Sequence, residues 1–433
     1  MKAWTHEVYA GKKTLGDVDM AGKRVFLRVD YNVPMKDGAV LDKTKIQRSI
    51  GTIEYLLRKK VQSIIIASHL GRPESEEDPN NPKDKTMLPI LCALNECLKD
   101  AEVKIQFEFE YVSREKVRSP WVLLQNMRTL AVEKDSSDVE SRELFDEFIK
   151  NNCDIMVNDA FAVLHRADYS VTQVKLEKVA GLLLDSEMQG VSMLLRNTRP
   201  TQDHSPFSSV SNREVEKFLR VGRNPKNFHI NEKKPIDLLI IGGCKLEDKI
   251  KMVKNLSKIT SNIFLGGLLA VPFLEHPASS MVEDLVESAI FEQISLFYPL
   301  DYILEDLSIV SYKEARKHVS SIKDIGPMTE NMLNDLLAQT RSLFWNGTLG
   351  QAEIKEYAHG TETALESVRA RRQALHKQGE QSLLCAGGGD TCGYINTAGY
   401  ADAFDLILTG GGATLAALQG DILHGIYALS ERD

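Results

Sequence analysis

Short apolar runs recur along the whole chain, at residues 25–29, 64–68, 122–124, 155–157, 238–241, 263–265, 302–304, 342–345, 383–385 and 406–408. Each ends in a polar or glycine-bearing turn. Continuous runs of this length suit strands covered on both faces, whereas a half-exposed strand alternates apolar and polar residues. Helical spacing lies between them: 45–58 carries Ile46, Ile50, Ile53 and Leu57, and 88–98 also reads as helix. Strands alternating with helices imply an α/β chain with parallel sheets and helices on both sheet faces. The alternation breaks between about residues 185 and 235, where 198–212 is rich in Ser, Pro and polar residues and 213–219 suggests a short helix. This predicts two doubly wound, Rossmann-like domains, at 1–185 and 236–415. Residues 186–235 form an interdomain connection with an extra excursion, and 416–433 a C-terminal segment.

A length of 433 residues fits two or three domains, and 43% hydrophobic residues suffice for substantial cores. The net charge of −8 argues against general nucleic-acid binding. No apolar stretch is long enough for a membrane span. Six scattered cysteines without paired spacing read as reduced, mostly buried thiols. Residues 1–6 lack the apolar core of a signal peptide and 430–433 are not a peroxisomal tail, so a cytoplasmic protein is expected.

In open parallel sheets ligands gather beyond the carboxyl ends of the strands. The residues there are of two kinds. The first half supplies Asp30, Asn32, His69, Arg72, Arg128 and Arg166, a polar and basic set. The second supplies glycine pairs and triples at 242–243, 266–267, 387–389 and 410–412. Glycines leave backbone N–H groups open to an anion. In the Gly-Gly-Gly-Asp-Thr stretch of 387–391, Asp390 adds a carboxylate suited to a phosphate-bound Mg²⁺. The plain alternative is a strained turn with an N-capping Asp, and that stretch alone does not decide. Neither G-x-x-x-x-G-K-[ST] nor a strand-borne G-x-G-x-x-G occurs, so phosphate binding would use another layout. A small anionic substrate on one domain and a nucleotide on the other fit the pattern.

Eight stretches together resemble phosphoglycerate kinase: Arg28-Val29-Asp30-Tyr31-Asn32-Val33-Pro34; Ser68-His69-Leu70-Gly71-Arg72-Pro73; Asn158-Asp159-Ala160-Phe161; His165-Arg166-Ala167; Gly242-Gly243-Cys244-Lys245 with Asp248-Lys249; Trp345-Asn346-Gly347; residues 387–391; and residues 409–413. They occur in the family's order over nearly the whole chain. The resemblance implies a hinge-bending monomer that transfers phosphate reversibly between MgATP and 3-phosphoglycerate. The C-terminal segment would return to the N-terminal domain. Asp30, Asn32, Lys45, His69, Arg72, Arg128, His165 and Arg166 would bind the substrate. Gly243, Lys245, Lys249, Gly267, Asn346, Glu353, Gly388, Gly389, Asp390 and Thr391 would bind ATP or ADP, with Mg²⁺ held by Asp390 mainly through the nucleotide. Lys245, Arg128, Arg166, Lys45, Gly411 and Gly412 would carry the transfer. Lys245 and Lys249, four apart, would project from one face at a helix start.

The chain also departs from the pattern. Lys45 stands where the family has arginine, which keeps the charge but loses the two-pronged grip. Asp168 replaces a histidine and adds negative charge unless it pairs with Arg166. Leu268 replaces a glycine and could fill nucleoside space, Ile322 lies near another expected glycine, Thr348 replaces a proline, and Leu408 a serine. Two expectations follow: an active kinase of reduced rate, or a kinase-like protein that binds a metabolite or partner without turnover.

Overall fold

A computed structural model describes residues 6–71, 86–99, 105–195, 224–243, 249–275, 280–418 and 420–432. It divides into two compact units, Met1–Gln189 with Asp421–Asp433, and Gly190–Gly420.

The first unit is built on a six-stranded parallel sheet of β1 (Arg24–Arg28), β2 (Ser63–Ala67), β3 (Glu108–Glu110), β4 (Trp121–Leu124), β5 (Ile155–Asn158) and β6 (Glu177–Ala180), in the order β3-β4-β2-β1-β5-β6. Both faces are buried, as the uninterrupted apolar runs require. Phe26, Ile65, Val122 and Met156 pack with Phe145 and Phe148 of helix Val139–Asn152. The intervening residues Val25, Leu27, Ile64, Ile66 and Val157 pack with Ile46, Ile53 and Leu56 of helix Thr44–Arg58 and with Ile90 and Leu94 of helix Leu88–Lys99. The period of two along each strand thus feeds two separate cores.

The second unit repeats the plan with β7 (Ile236–Ile241), β8 (Thr260–Leu265), β9 (Ser295–Phe297), β10 (Ser342–Asn346), β11 (Leu383–Gly387) and β12 (Leu406–Leu408), all parallel, in the order β9-β8-β7-β10-β11-β12. The strand order reverses between β7 and β10, which sets a crevice at their carboxyl ends.

One reading of the sequence needs correction. Tyr302 to Leu304 belongs not to a parallel sheet but to Asp301–Leu304, the central strand of a three-stranded antiparallel sheet with Ile309–Ser311 and Ile322–Ile325. An apolar run signals burial and not the direction of its partner. Helix Leu182–Leu195 follows β6, the last strand of the first unit's sheet. Asp159, fully buried, starts that helix: its Oδ1 accepts the N–H groups of Leu183 at 2.9 Å and Leu184 at 3.1 Å. Lys249 directly precedes helix Ile250–Leu256, and its carbonyl accepts the N–H of Val253 at 2.9 Å. The short helix expected at 213–219 lies outside the described residues.

Residues of the C-terminal segment bond within the first unit. Gly425 N–H donates to Leu164 O (2.9 Å), and Ser430 N–H to Lys178 O (2.9 Å). The nearly buried Lys12 ammonium donates to Leu429 O (3.0 Å) and Glu431 Oε1 (2.5 Å). Among the described residues no helix is long and apolar enough to cross a membrane.

Candidate functional site

In the first unit, the turns after β1 and β2 bring the predicted polar residues together. Lys45, on the first turn of helix Thr44–Arg58, donates to Asp30 Oδ2 at 2.7 Å and to Asn32 O at 2.9 Å. Burial works against the Asp30 carboxylate, but Lys45, with His69 and the Asn32 N–H, outweighs it and brings the pKa down to about 2. Asn32 Oδ1 accepts the N–H of Gly71 (2.9 Å), and Arg128 donates to Gly71 O (2.8 Å). The same loop is pinned by Asn126, which accepts from Leu70 N–H and donates to Leu70 O.

His69 is 1% exposed and lies 3.9 Å from Asp30. Burial pushes its pKa down to about 3, and the charges of Arg28, Arg166 and Lys45 add to that, so the ring is neutral. Both His69 nitrogens, Arg128 Nε, Arg166 Nη1 and His165 Nδ1 are buried without a hydrogen-bond partner among the described residues. Buried donors are normally satisfied, so this group has the chemistry of a receptor for an oxyanion. Arg72 lies outside the described residues. Asp168 starts the short helix Tyr169–Thr172; among the described residues its buried Oδ2 has no partner, and it forms no ion pair with Arg166.

Beneath this group lies a feature the sequence did not expose. Arg28 is fully buried and donates to Ser170 Oγ (2.8 Å) and Val29 O, with Glu133 at 3.5 Å. Glu133 accepts from Ser170 N–H (2.9 Å) and Oγ–H (2.7 Å); burial, reinforced by Asp168, holds its pKa above the usual range. Nothing in the sequence pairs Glu133 with Arg28, because the partners are 105 residues apart.

In the second unit, a cavity of about 720 Å³ opens at the carboxyl ends of β7, β10 and β11. That is within the range of roughly 300–1,000 Å³ for small-molecule sites. It brings together Gly243, Lys249, Gly267, Asn346, Glu353, Gly388, Gly389, Thr391, Gly411 and Gly412, all named as candidates from the sequence. Its other walls come from residues not singled out as binders, among them Asp324, Lys323, Leu349, Gly350 and Gln351, together with Leu268, Ile322 and Thr348, which the sequence marked as departures. These follow strands whose pairing could not be read from residue types. Lys245 lies outside the described residues, and Asp390 is described only as backbone, the second residue of helix Gly389–Thr397.

Glycine is required at the centre of this cavity. A Cβ on Gly242 would lie 2.0 Å from Thr348 O and 2.5 Å from Gly347 O. Gly347, at φ +98°, would meet Gly242 O at 2.1 Å. The two loops at the reversal point therefore touch backbone to backbone. Gly388, at φ +105°, leaves room for the Asn346 amide, which donates to Gly387 O (2.7 Å) and accepts from Lys249 Nζ (2.5 Å). Thr391 Oγ accepts from Gly347 N–H (2.7 Å). The result is a floor of glycine backbone with the Lys249 ammonium beside it, a fit for phosphate oxygens. Among the described residues no three His, Cys, Asp or Glu side chains are placed to hold a metal.

Two comparisons bear on these sites. The family model described as phosphoglycerate kinase matches residues 15–203 and 220–421. Among solved structures, phosphoglycerate kinase from Coxiella burnetii is similar at 25% identity and a TM-score of 0.70, covering 96% of this chain and 98% of that one. Phosphoglycerate kinase from Pyrococcus horikoshii OT3 shares the fold at 23% identity and a TM-score of 0.68, with 96% and 98% covered. The eight motifs, the two doubly wound sheets and a family match over most of the length agree: the chain belongs to the phosphoglycerate kinase family.

Proposed function

We propose that the chain catalyses reversible phosphoryl transfer between MgATP and 3-phosphoglycerate, giving 1,3-bisphosphoglycerate and ADP. The observation that carries this reading is the set of buried, unpartnered donors on His69, Arg128 and Arg166 beside Asp30 and Lys45. Asp30 and Asn32 would take the hydroxyl and carboxylate region of the acid. His69, Arg72, Arg128, His165 and Arg166 would surround its oxyanions, with Lys45 as a further cation. In the second unit Lys249, Thr391 and the backbone of Gly388 and Gly389 would hold nucleotide phosphates, and Glu353 and Asn346 the nucleoside side. Lys245 and the N–H groups of Gly411 and Gly412 would neutralise the phosphoryl group in transit. Bound magnesium, with Asp390 as its carboxylate, supplies further charge neutralisation. The protein's own task is to position and neutralise, since phosphoryl transfer needs little covalent help. The same reading carries a cytoplasmic monomer acting in glycolysis or gluconeogenesis.

A second reading, binding without turnover, is favoured by two observations. Leu268 lines the nucleotide-side cavity where the family pattern has glycine, and Lys45 is engaged by Asp30. A coupled assay with saturating 3-phosphoglycerate and MgATP, run beside an ADP titration, separates the two. Turnover that Lys245→Ala abolishes, with 3-phosphoglycerate binding retained, supports the kinase. Binding of either ligand with no turnover supports the second reading, and binding of neither refutes both.

A further inference from the structure

Asp324 is the least explained charged residue of the cavity. It is the third residue of the strand Ile322–Ile325 and is 1% exposed. Its Oδ1 accepts the N–H of Ile325 (2.8 Å), and its Oδ2 accepts the N–H of Gly360 (2.8 Å), in the first turn of helix His359–Gln378. A Cβ on Gly350 would lie 2.2 Å from Oδ1, and one on Gly360 2.7 Å. One carboxyl group therefore sits against three segments: its own strand, the loop after β10 and the start of the helix. Asp324, Gly350 and Glu353 all line the cavity. Gln351 N–H adds a bond back to Lys323 O at 2.9 Å. No lysine or arginine forms an ion pair with this carboxyl among the described residues.

We propose that Asp324 is a positioning residue: its carboxyl holds the loop 347–353 as a cavity wall, and ionisation of that carboxyl loosens the wall and weakens binding of a nucleoside diphosphate. The binding half rests on the nucleotide reading above; the wall half does not. Burial raises the Asp324 pKa to about 7, against two backbone N–H bonds that favour the anion. Glu330 on helix Pro327–Gln339 pushes it further up. His359 pulls it down while itself bonded to Glu330 (2.7 Å), with Glu362 nearby. Tyr394 of helix Gly389–Thr397 also feels the Asp324 charge, and Lys323 and Glu353 are the remaining charged groups of the wall. The sign follows from the raised pKa. The neutral acid is favoured in the closed wall and the anion in an opened, hydrated one. Closure is therefore strongest below the ordinary carboxylate range and is lost as pH rises through about 7.

Hydrogen exchange of residues 347–360 in the ligand-free protein, corrected for intrinsic rates, tests this between about pH 5.5 and 8.5. Protection should fall by up to about tenfold per pH unit below about 7 and level off above it, where the carboxyl is ionised in the closed wall too. Asp324→Asn should remove that dependence. A flat wild-type profile overturns the proposal without reference to any variant. A profile that persists in Asp324→Asn assigns it to His359 and also overturns it. Calorimetry with ADP over the same range should show the wild-type to Asp324→Asn ratio of affinities falling as pH rises. If exchange behaves as described but ADP does not bind, the wall assignment stands and the nucleotide reading fails. If ADP binds and the ratio is constant, the binding half is wrong.

Discussion

Three glycines of the nucleotide-side cavity separate three physical effects. Gly242 has no room for a Cβ: the nearest atoms are Thr348 O at 2.0 Å, Gly347 O at 2.5 Å and Gly347 C at 2.7 Å, all backbone. No side chain can swing away, so Gly242→Ala must drive the loops after β7 and β10 apart. That strains the hydrogen bond from Gly242 N–H to Asn346 O, 2.8 Å long. Overpacking of this kind costs about 1–3 kcal/mol, and a lost backbone hydrogen bond about 1 kcal/mol. The expected loss is about 2–4 kcal/mol, or roughly 5–15 °C in the Tm of a unit this size. Gly243 has nothing within 4 Å but sits at φ +122°. There Gly243→Ala should cost about 1–3 kcal/mol by backbone strain alone, without parting the loops. Gly389 has neither a neighbour within 4 Å nor a positive φ, so Gly389→Ala should stay within about 0.5 kcal/mol of the wild type. Scanning calorimetry and urea unfolding, with the buried Trp345 as a fluorescent reporter, rank the three. Equal stability of Gly242→Ala and Gly389→Ala would refute the close approach of the two loops.

Glu133→Leu should destabilise the first unit by about 3–5 kcal/mol in urea, because it strands the buried Arg28 charge; a loss below about 1 kcal/mol would show that Ser170 and Val29 satisfy Arg28 unaided. Lys45→Met should return the Asp30 carboxyl from about 2 towards the ordinary range, read by carbon NMR. Since that pKa is depressed, the stability it contributes is present above about pH 4 and lost as pH falls through 2, and the variant should lack it. Lys45→Arg should raise turnover by about 10- to 100-fold if the missing fork limits the rate; unchanged turnover dismisses that role. Leu268→Gly should tighten ADP binding in calorimetry, and unchanged or weaker binding would count against an obstructed nucleoside side.

The sheets were legible because their strands are covered on both faces, so burial shows as unbroken apolar runs such as those of β2 and β7. The edge strands β3 and β6 were not, since the sheet leaves part of each exposed and their residues, Glu108–Glu110 and Glu177–Ala180, carry little apolar signal. In the candidate sites the glycines and the basic residues stood out because ligands meet parallel sheets at strand ends. Asp324 did not, because a carboxylate looks the same in the sequence whether it faces water or two backbone N–H groups.

The order of apolar runs and the residue types that close them therefore determined by themselves the α/β class, the two-fold repetition of the plan and the chemical contrast between a basic set and a glycine-rich one. Only the tertiary structure decided which strand pairs antiparallel, that Gly242 and Gly347 touch, that Glu133 lies beside Arg28, and that the Asp324 carboxyl lies against three segments at once. Those are relations between residues far apart in the chain, and the energy of a buried charge or a backbone contact is set by its neighbours in space.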